Sequence, residues 1–184
     1  MNTQGKGMGF STVGGSSPIM GSIANMANWG SRVQQAEASA TVLAGQAVSV
    51  TIGATQQTGT GLAGLSDTDY KVAPAADATT ANLSGIATIG GDFVANGKGG
   101  SYEAGALVPY VAFGSGAEVW LESSADFTSK NGGKFDISVS AGALTVANTQ
   151  NLTGASVTVI AGPVNGYKLT ADGKTACKLV RCII

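Results

Sequence analysis

Lys134-Phe135-Asp136-Ile137-Ser138-Val139-Ser140 decides the fold class. In an extended chain Phe135, Ile137 and Val139 fall on one side. Lys134, Asp136, Ser138 and Ser140 fall on the other. Strict alternation of this kind marks a strand with one buried and one wet face. The pattern recurs on both sides of this stretch. Val48, Val50 and Ile52 alternate with Ser49 and Thr51, and Glu118-Val119-Trp120-Leu121-Glu122 alternates with Trp120 on the glutamate face. Further strands are expected over 107–113, 144–147, 157–161, 167–170 and 177–184. The breaks between them carry Asn131-Gly132-Gly133, Asn165-Gly166 and Asp172-Gly173-Lys174. Asn-Gly and Asp-Gly supply the positive φ of tight hairpin turns. No long amphipathic helix is apparent after residue 40. The expectation is an all-β protein, with a compact β-sandwich or β-barrel-like body of about 8–9 short strands over residues 37–184. Residues 53–64 and 90–101 are read as long loops.

The chain has 184 residues, the size of one domain. Its composition removes several function classes. Only 11% of residues are charged, against about 25% in an average protein. There is no His, so the commonest general base and the commonest metal ligand are both missing. A net charge of −1 does not suit a protein that binds by neutralising phosphates, and no nucleic-acid partner is expected. No segment approaches the ~18 apolar residues of a membrane span, and no membrane partner is expected. The start of the sequence, Met1-Asn2-Thr3-Gln4-Gly5-Lys6, leads into Gly and Ser rather than an apolar run, which fits synthesis in a cytoplasm. Cys177 and Cys182 are an odd number of residues apart. On one strand they face opposite sides, so two free thiols are expected.

The sequence offers no catalytic constellation. Gly59-Thr60-Gly61-Leu62-Ala63-Gly64 has the letters of a dinucleotide fingerprint but lacks the helix that must follow it. Gly97-Lys98 is followed by Gly99, where a phosphate loop needs Ser or Thr. Asp67 and Asp69 lack the other acidic positions of a calcium loop. Glu118, Glu122 and Asp126 are the one carboxylate group that could serve glycoside hydrolysis. Their bland reading is the wet face of a strand. Asn82-Leu83-Ser84 and Asn151-Leu152-Thr153 match glycosylation acceptors. Lys168, Lys174, Lys178 and Arg181 gather near the C-terminus. They read as protection of a strand edge, or as a contact with an acidic neighbour in an assembly. No enzymatic activity and no cofactor are expected.

The first 36 residues differ from the rest. They hold Lys6 and Arg32 and no acidic residue, and Gly and Ser are dense. Within them lies Pro18-Ile19-Met20-Gly21-Ser22-Ile23-Ala24-Asn25-Met26-Ala27-Asn28-Trp29. Large apolar residues this close together suit anchors better than a solvated tail. Residues 1–36 are therefore read as a flexible or extended N-terminal arm. Ile19, Met20, Ile23, Met26 and Trp29 are its candidate partner-binding anchors, with Arg32 at the junction to the body. On this reading, removal of 1–36 leaves the body folded.

Four stretches carry a family resemblance: Pro18-Ile19-Met20-Gly21-Ser22-Ile23-Ala24 running into Ser31-Arg32; Ala40-Thr41-Val42-Leu43-Ala44-Gly45-Gln46-Ala47-Val48; Leu83-Ser84-Gly85-Ile86-Ala87-Thr88; and Tyr102-Glu103-Ala104-Gly105-Ala106-Leu107-Val108-Pro109 through Ala117-Glu118-Val119-Trp120-Leu121. Together they resemble the structural cement, or capsid decoration, proteins of tailed bacteriophages. The resemblance implies a non-enzymatic protein on the outer surface of the virion head. It implies the major capsid (coat) protein as partner and a homo-oligomer, dimer or trimer. Two other readings stand beside it. One is a tail or neck component of the virion. The other is a carbohydrate- or surface-binding module using Trp120 and Tyr110.

Overall fold

A computed structural model describes residues 18–24, 33–52, 70–79, 82–89, 101–128, 133–171 and 173–184. The described residues form strands and no helix, as the alternation predicts. The first seven strands are β1 (Val33–Ala38), β2 (Val42–Leu43), β3 (Ala47–Ile52), β4 (Tyr70–Pro74), β5 (Gly85–Ala87), β6 (Ser101–Tyr102) and β7 (Leu107–Ala112). Five of them close a barrel in the order β1-β4-β3-β5-β7. β1 and β4 run parallel, while β1 and β7 complete the ring antiparallel, Val33 opposite Val111. Val42, Val48, Val72 and Val108 are fully buried inside it. Tyr102 joins them, and its hydroxyl donates to the Thr88 carbonyl at 2.8 Å. A buried phenol needs such a partner, because an unpaired hydroxyl in an apolar interior is costly.

The other five strands are β8 (Glu118–Glu122), β9 (Gly133–Ser140), β10 (Ala143–Val146), β11 (Ser156–Thr170) and β12 (Gly173–Ile183). Their order is β10-β9-β11-β12-β8. This sheet curls until its two ends meet. Ser123 bridges Val146, and the Ser124 N–H donates to the Val146 carbonyl at 2.9 Å. Phe135, Leu121, Leu144, Val157 and Leu179 fill the interior. The Phe127 and Phe135 rings lie 5.0 Å apart. The same apolar cluster reaches Ala47, Ile86 and Val111 of the barrel, so one core joins the two halves. Asp136, on the outer face of β9, accepts from Thr149 Oγ1 and from the N–H groups of Asn151 and Leu152. The Thr149 hydrogen bond, then the Asn151 one, hold its carboxyl below the usual aspartate range; burial opposes them, and the Leu152 bond adds the least.

The structure corrects the sequence reading in four places. The strands expected at 157–161 and 167–170 are one strand, β11, which carries register shifts against β12 between Val159 and Val164. Asn165-Gly166 is therefore not a turn. A Cβ on Gly166 would meet Leu179 Cδ1 at 2.5 Å and the Pro18 carbonyl oxygen at 2.6 Å. The glycine serves close packing rather than chain reversal. Reversal happens further on, where Thr170 pairs with Gly173. The boundary of the arm also moves. Residues 33–36 belong to β1, and residues 18–24 are packed into the body. Finally, β1, β2, β4, β5 and β6 have no counterpart among the strands expected from alternation, although β5 falls within the resembling stretch 83–88. Most of the loops expected at 53–64 and 90–101 lie outside the described residues, and residue 101 opens β6.

Candidate partner-binding surface

Residues 18–24 cross the open side of the second sheet as a short strap. The Tyr167 N–H donates to the Pro18 carbonyl at 3.1 Å, and the Met20 N–H to the Tyr167 carbonyl at 2.8 Å. The strap then turns. Both the N–H and the hydroxyl of Ser22 donate to the Ile19 carbonyl, and Gly21 has φ +81°. Positive φ at the third residue of such a turn favours glycine. After the turn the strap runs antiparallel to β8, with Ile23 opposite Val119. The Trp120 N–H donates to the Ser22 carbonyl, and the Gly21 and Ala24 N–H groups donate to the Trp120 and Glu118 carbonyls. The seat is tight. A Cβ on Gly21 would lie 2.4 Å from the Gly45 nitrogen, and one on Gly45 would lie 2.5 Å from Met20 Cγ.

Of the six anchors expected from the sequence, Met20 and Ile23 are buried within their own chain and Ile19 is half-buried beside Tyr167. Met26, Trp29 and Arg32 lie outside the described residues. The structure thus brings three anchors together, as an internal strap rather than a projecting arm. A truncation of 1–36 removes this strap and most of β1 with it.

The charged residues near the C-terminus divide into two groups. On one face Arg181 pairs with Glu118 through Nε at 2.9 Å and through Nη2, and Lys168 donates to both carboxylate oxygens of Glu122 at 2.8 and 2.9 Å. These cross-strand pairs engage the two glutamates that a glycoside-hydrolysis reading would need. The carbonyl of Asp126 accepts from Asn148 Nδ2. On the other face Lys178 Nζ donates to Asn165 Oδ1 at 2.7 Å, and Lys174 Nζ sits 4.7 Å from the centre of the Tyr167 ring. Edge protection therefore does not describe Lys168 and Arg181, which pair across the sheet. It remains apt for Lys174 and Lys178.

Trp120 and Tyr110 present no open ring face, being 8% and 6% exposed. The Tyr110 hydroxyl donates to Gln34 Oε1 at 2.6 Å, and burial, aided by nearby Tyr70, pushes its pKa up. Both cysteines are free. Burial first, then the Glu122 charge, pushes the Cys177 thiol up to about 11 despite Lys168 nearby. Burial raises the Cys182 thiol as well. Thiols of this kind stay protonated near neutrality and are poor nucleophiles. Asn82 is held by both carboxylate oxygens of Asp77, whereas Asn151 is exposed. Asp67, Asp69, the 59–64 glycine run and Gly97-Lys98 lie outside the described residues.

The exposed large apolar side chains among the described residues are Leu107, Leu152, Ile160 and Val164. Ile160 and Val164 flank the bulged stretch of β11. Sequence reasoning missed this pair because its neighbours Val157 and Val159 read as an ordinary buried strand. Ile160 falls on the outer face by the same alternation that buries Val157 and Val159. No protein-family model, curated protein or solved structure matches the chain.

Proposed function

We propose that the protein is a non-enzymatic virion component that docks on the outer surface of an assembled phage head and stabilises it by bridging coat subunits, acting as a small homo-oligomer. The observation that carries this reading is the meeting of the four resembling stretches. They lie far apart in the sequence, yet the fold gathers them around one point. The Gly21 N–H donates to the Trp120 carbonyl, the Gly45 N–H donates to the Ala87 carbonyl, and Gly21 abuts Gly45. β6, β7 and β8 continue the fourth stretch outward from there. A resemblance whose pieces assemble into one packed unit is stronger support than the same short motifs scattered over a surface. The internal pairing of Glu118 and Glu122 with cations fits a scaffold better than an acid–base pair. Several weak contacts to neighbouring subunits would add through effective concentration.

Co-sedimentation tests the proposal. Empty heads are assembled from the coat protein encoded beside this gene, mixed with the purified chain and pelleted. Saturable co-pelleting at a fixed ratio per coat subunit is expected. A folded protein that stays in the supernatant at every ratio overturns the head assignment, and labelling of intact virions then tests the tail.

A further inference from the structure

We infer that the Asp136 side chain is an acid-sensitive clasp: ionised, it holds residues 150–154 against β9 with Leu152 turned out to solvent, and protonation frees them. The two ends of this loop are fastened by backbone. On one side the Ala147 N–H donates to the Asp136 carbonyl at 2.8 Å, and the Asp136 N–H donates to the Thr149 carbonyl at 3.0 Å. On the other the Ile137 N–H donates to the Ala155 carbonyl at 3.2 Å. Residues 150–154 between them are all exposed. The Asn151 N–H donates to Asp136 Oδ2 at 2.9 Å and the Leu152 N–H to Oδ1 at 2.7 Å. Among the described residues, 150–154 make no other hydrogen bond. One side chain holds the span.

The held conformation is not one that the loop prefers by itself. Leu152 has φ +55°, in the left-handed region where a Cβ crowds the backbone. Its side chain is 48% exposed, more than any other large apolar one among the described residues. Neither backbone preference nor burial keeps it there, so the carboxylate supplies the restraint.

The clasp needs the charge. An ionised carboxylate only accepts, and Oδ2 takes the Thr149 hydroxyl at 2.7 Å as well as the Asn151 N–H. A proton on either oxygen sets a donor against a backbone N–H. The Thr149 hydroxyl can rotate to accept that proton, but Asn151 and Leu152 can only donate. The surroundings offer few competing charges. Lys134 shares the outer face of β9, where β11 sets Ser156 opposite Asp136 and Thr158 opposite Lys134, and β10 sets Thr145 opposite Ser138. The loop itself carries no charge, and Asn148 reaches the segment that holds Asp126. Hydrogen bonds, Thr149 first, hold the Asp136 carboxyl low. With a lowered native pKa, the clasp is complete above the usual aspartate range and is lost as pH falls through Asp136's own value. It is closed near neutrality and opens in acid. This inference does not rest on the head assignment.

The test uses the isotope-labelled full chain and NMR from about pH 7 to about pH 2. At neutral pH the Asn151 and Leu152 amides should be protected from hydrogen exchange at least about tenfold more than the Gly154 amide. On acidification their shifts should move with the Asp136 carboxyl carbon and that protection should vanish, while the Phe135 and Ile137 amides stay protected. Asp136→Asn keeps the shape but offers one acceptor oxygen, so either orientation turns an NH2 group toward a backbone N–H. It should abolish the Asn151 and Leu152 protection at neutral pH with β9 intact. Protection that survives Asp136→Asn, or amides that titrate apart from the Asp136 carboxyl, overturns the inference. If the variant fails to fold, the titration of the parent decides; if the parent unfolds before Asp136 titrates, the variant at neutral pH decides.

Discussion

Two stretches of strand edge in the second sheet are treated in opposite ways by the chain. Along β8 the backbone groups of Glu118 and Trp120 are covered by residues 18–24, which bury Met20 and Ile23 in doing so. Along β12, residues 173–178 carry lysines and no covering strand among the described residues. The difference follows from what lies beneath each edge. Val119, Trp120 and Leu121 belong to the core, and an open edge beside them would expose an apolar template for aggregation. The 173–178 stretch belongs to a two-stranded ribbon whose faces are mostly half-buried or exposed, and charge is enough to guard it. The covered edge therefore contributes to stability.

Removing residues 1–24 should break this contrast most severely. Burial of a Met or Ile side chain contributes about 1.5–3 kcal/mol, so losing Met20 and Ile23 should cost about 4 kcal/mol. The bared β8 edge should also pair with another copy. Urea unfolding and light scattering would read both effects. A monomer with an unchanged midpoint would show that the strap is not part of the stable body.

Gly21→Ala asks how tightly the strap is seated. The new methyl would meet the Gly45 backbone at 2.4 Å in a conformation with φ +81°, and backbone strain plus overpacking should cost about 3 kcal/mol. A loss below about 1 kcal/mol would mean that the turn can shift away from Gly45 without penalty.

The smallest stability effect should come from Lys174→Ala with Lys178→Ala, within about 0.5 kcal/mol of the parent. Self-association in sedimentation velocity should nevertheless rise, because the like-charge barrier between open edges is gone. If stability falls sharply while the protein remains monomeric, the lysines hold the ribbon rather than guard it.

The sequence alone made much of the second sheet legible. Glu118–Glu122 is β8 to the residue, and the alternation at 134–140 is β9 with Gly133 added. The strand at β3 was equally plain. Each of these has one core face and one wetter face, so period-2 patterning survives in its side chains. Three of the missed strands lack that signature. β2 and β6 are two residues long, and β4 shows no alternation of apolar and polar residues. The anchors Ile19, Met20 and Ile23 were visible as apolar residues in a polar region. Their destination was not, because the strap is held by backbone hydrogen bonds that almost any sequence can make.

Sequence by itself determined that this chain builds β-structure around a large core, where its tight turns can fall, and that it brings no His to any chemistry. These are local properties, written in the alternation of neighbours and in single residue types. Only the tertiary structure decided that Gly166 packs rather than turns and that residues 18–24 close the sheet. It also decided that Glu118 and Glu122 meet cations and that no strand among the described residues pairs with the outer side of β12 before Lys178. Each of these depends on which residues, distant along the chain, arrive together. Register shifts and sheet curvature set those meetings, and neither leaves a periodic trace in the sequence.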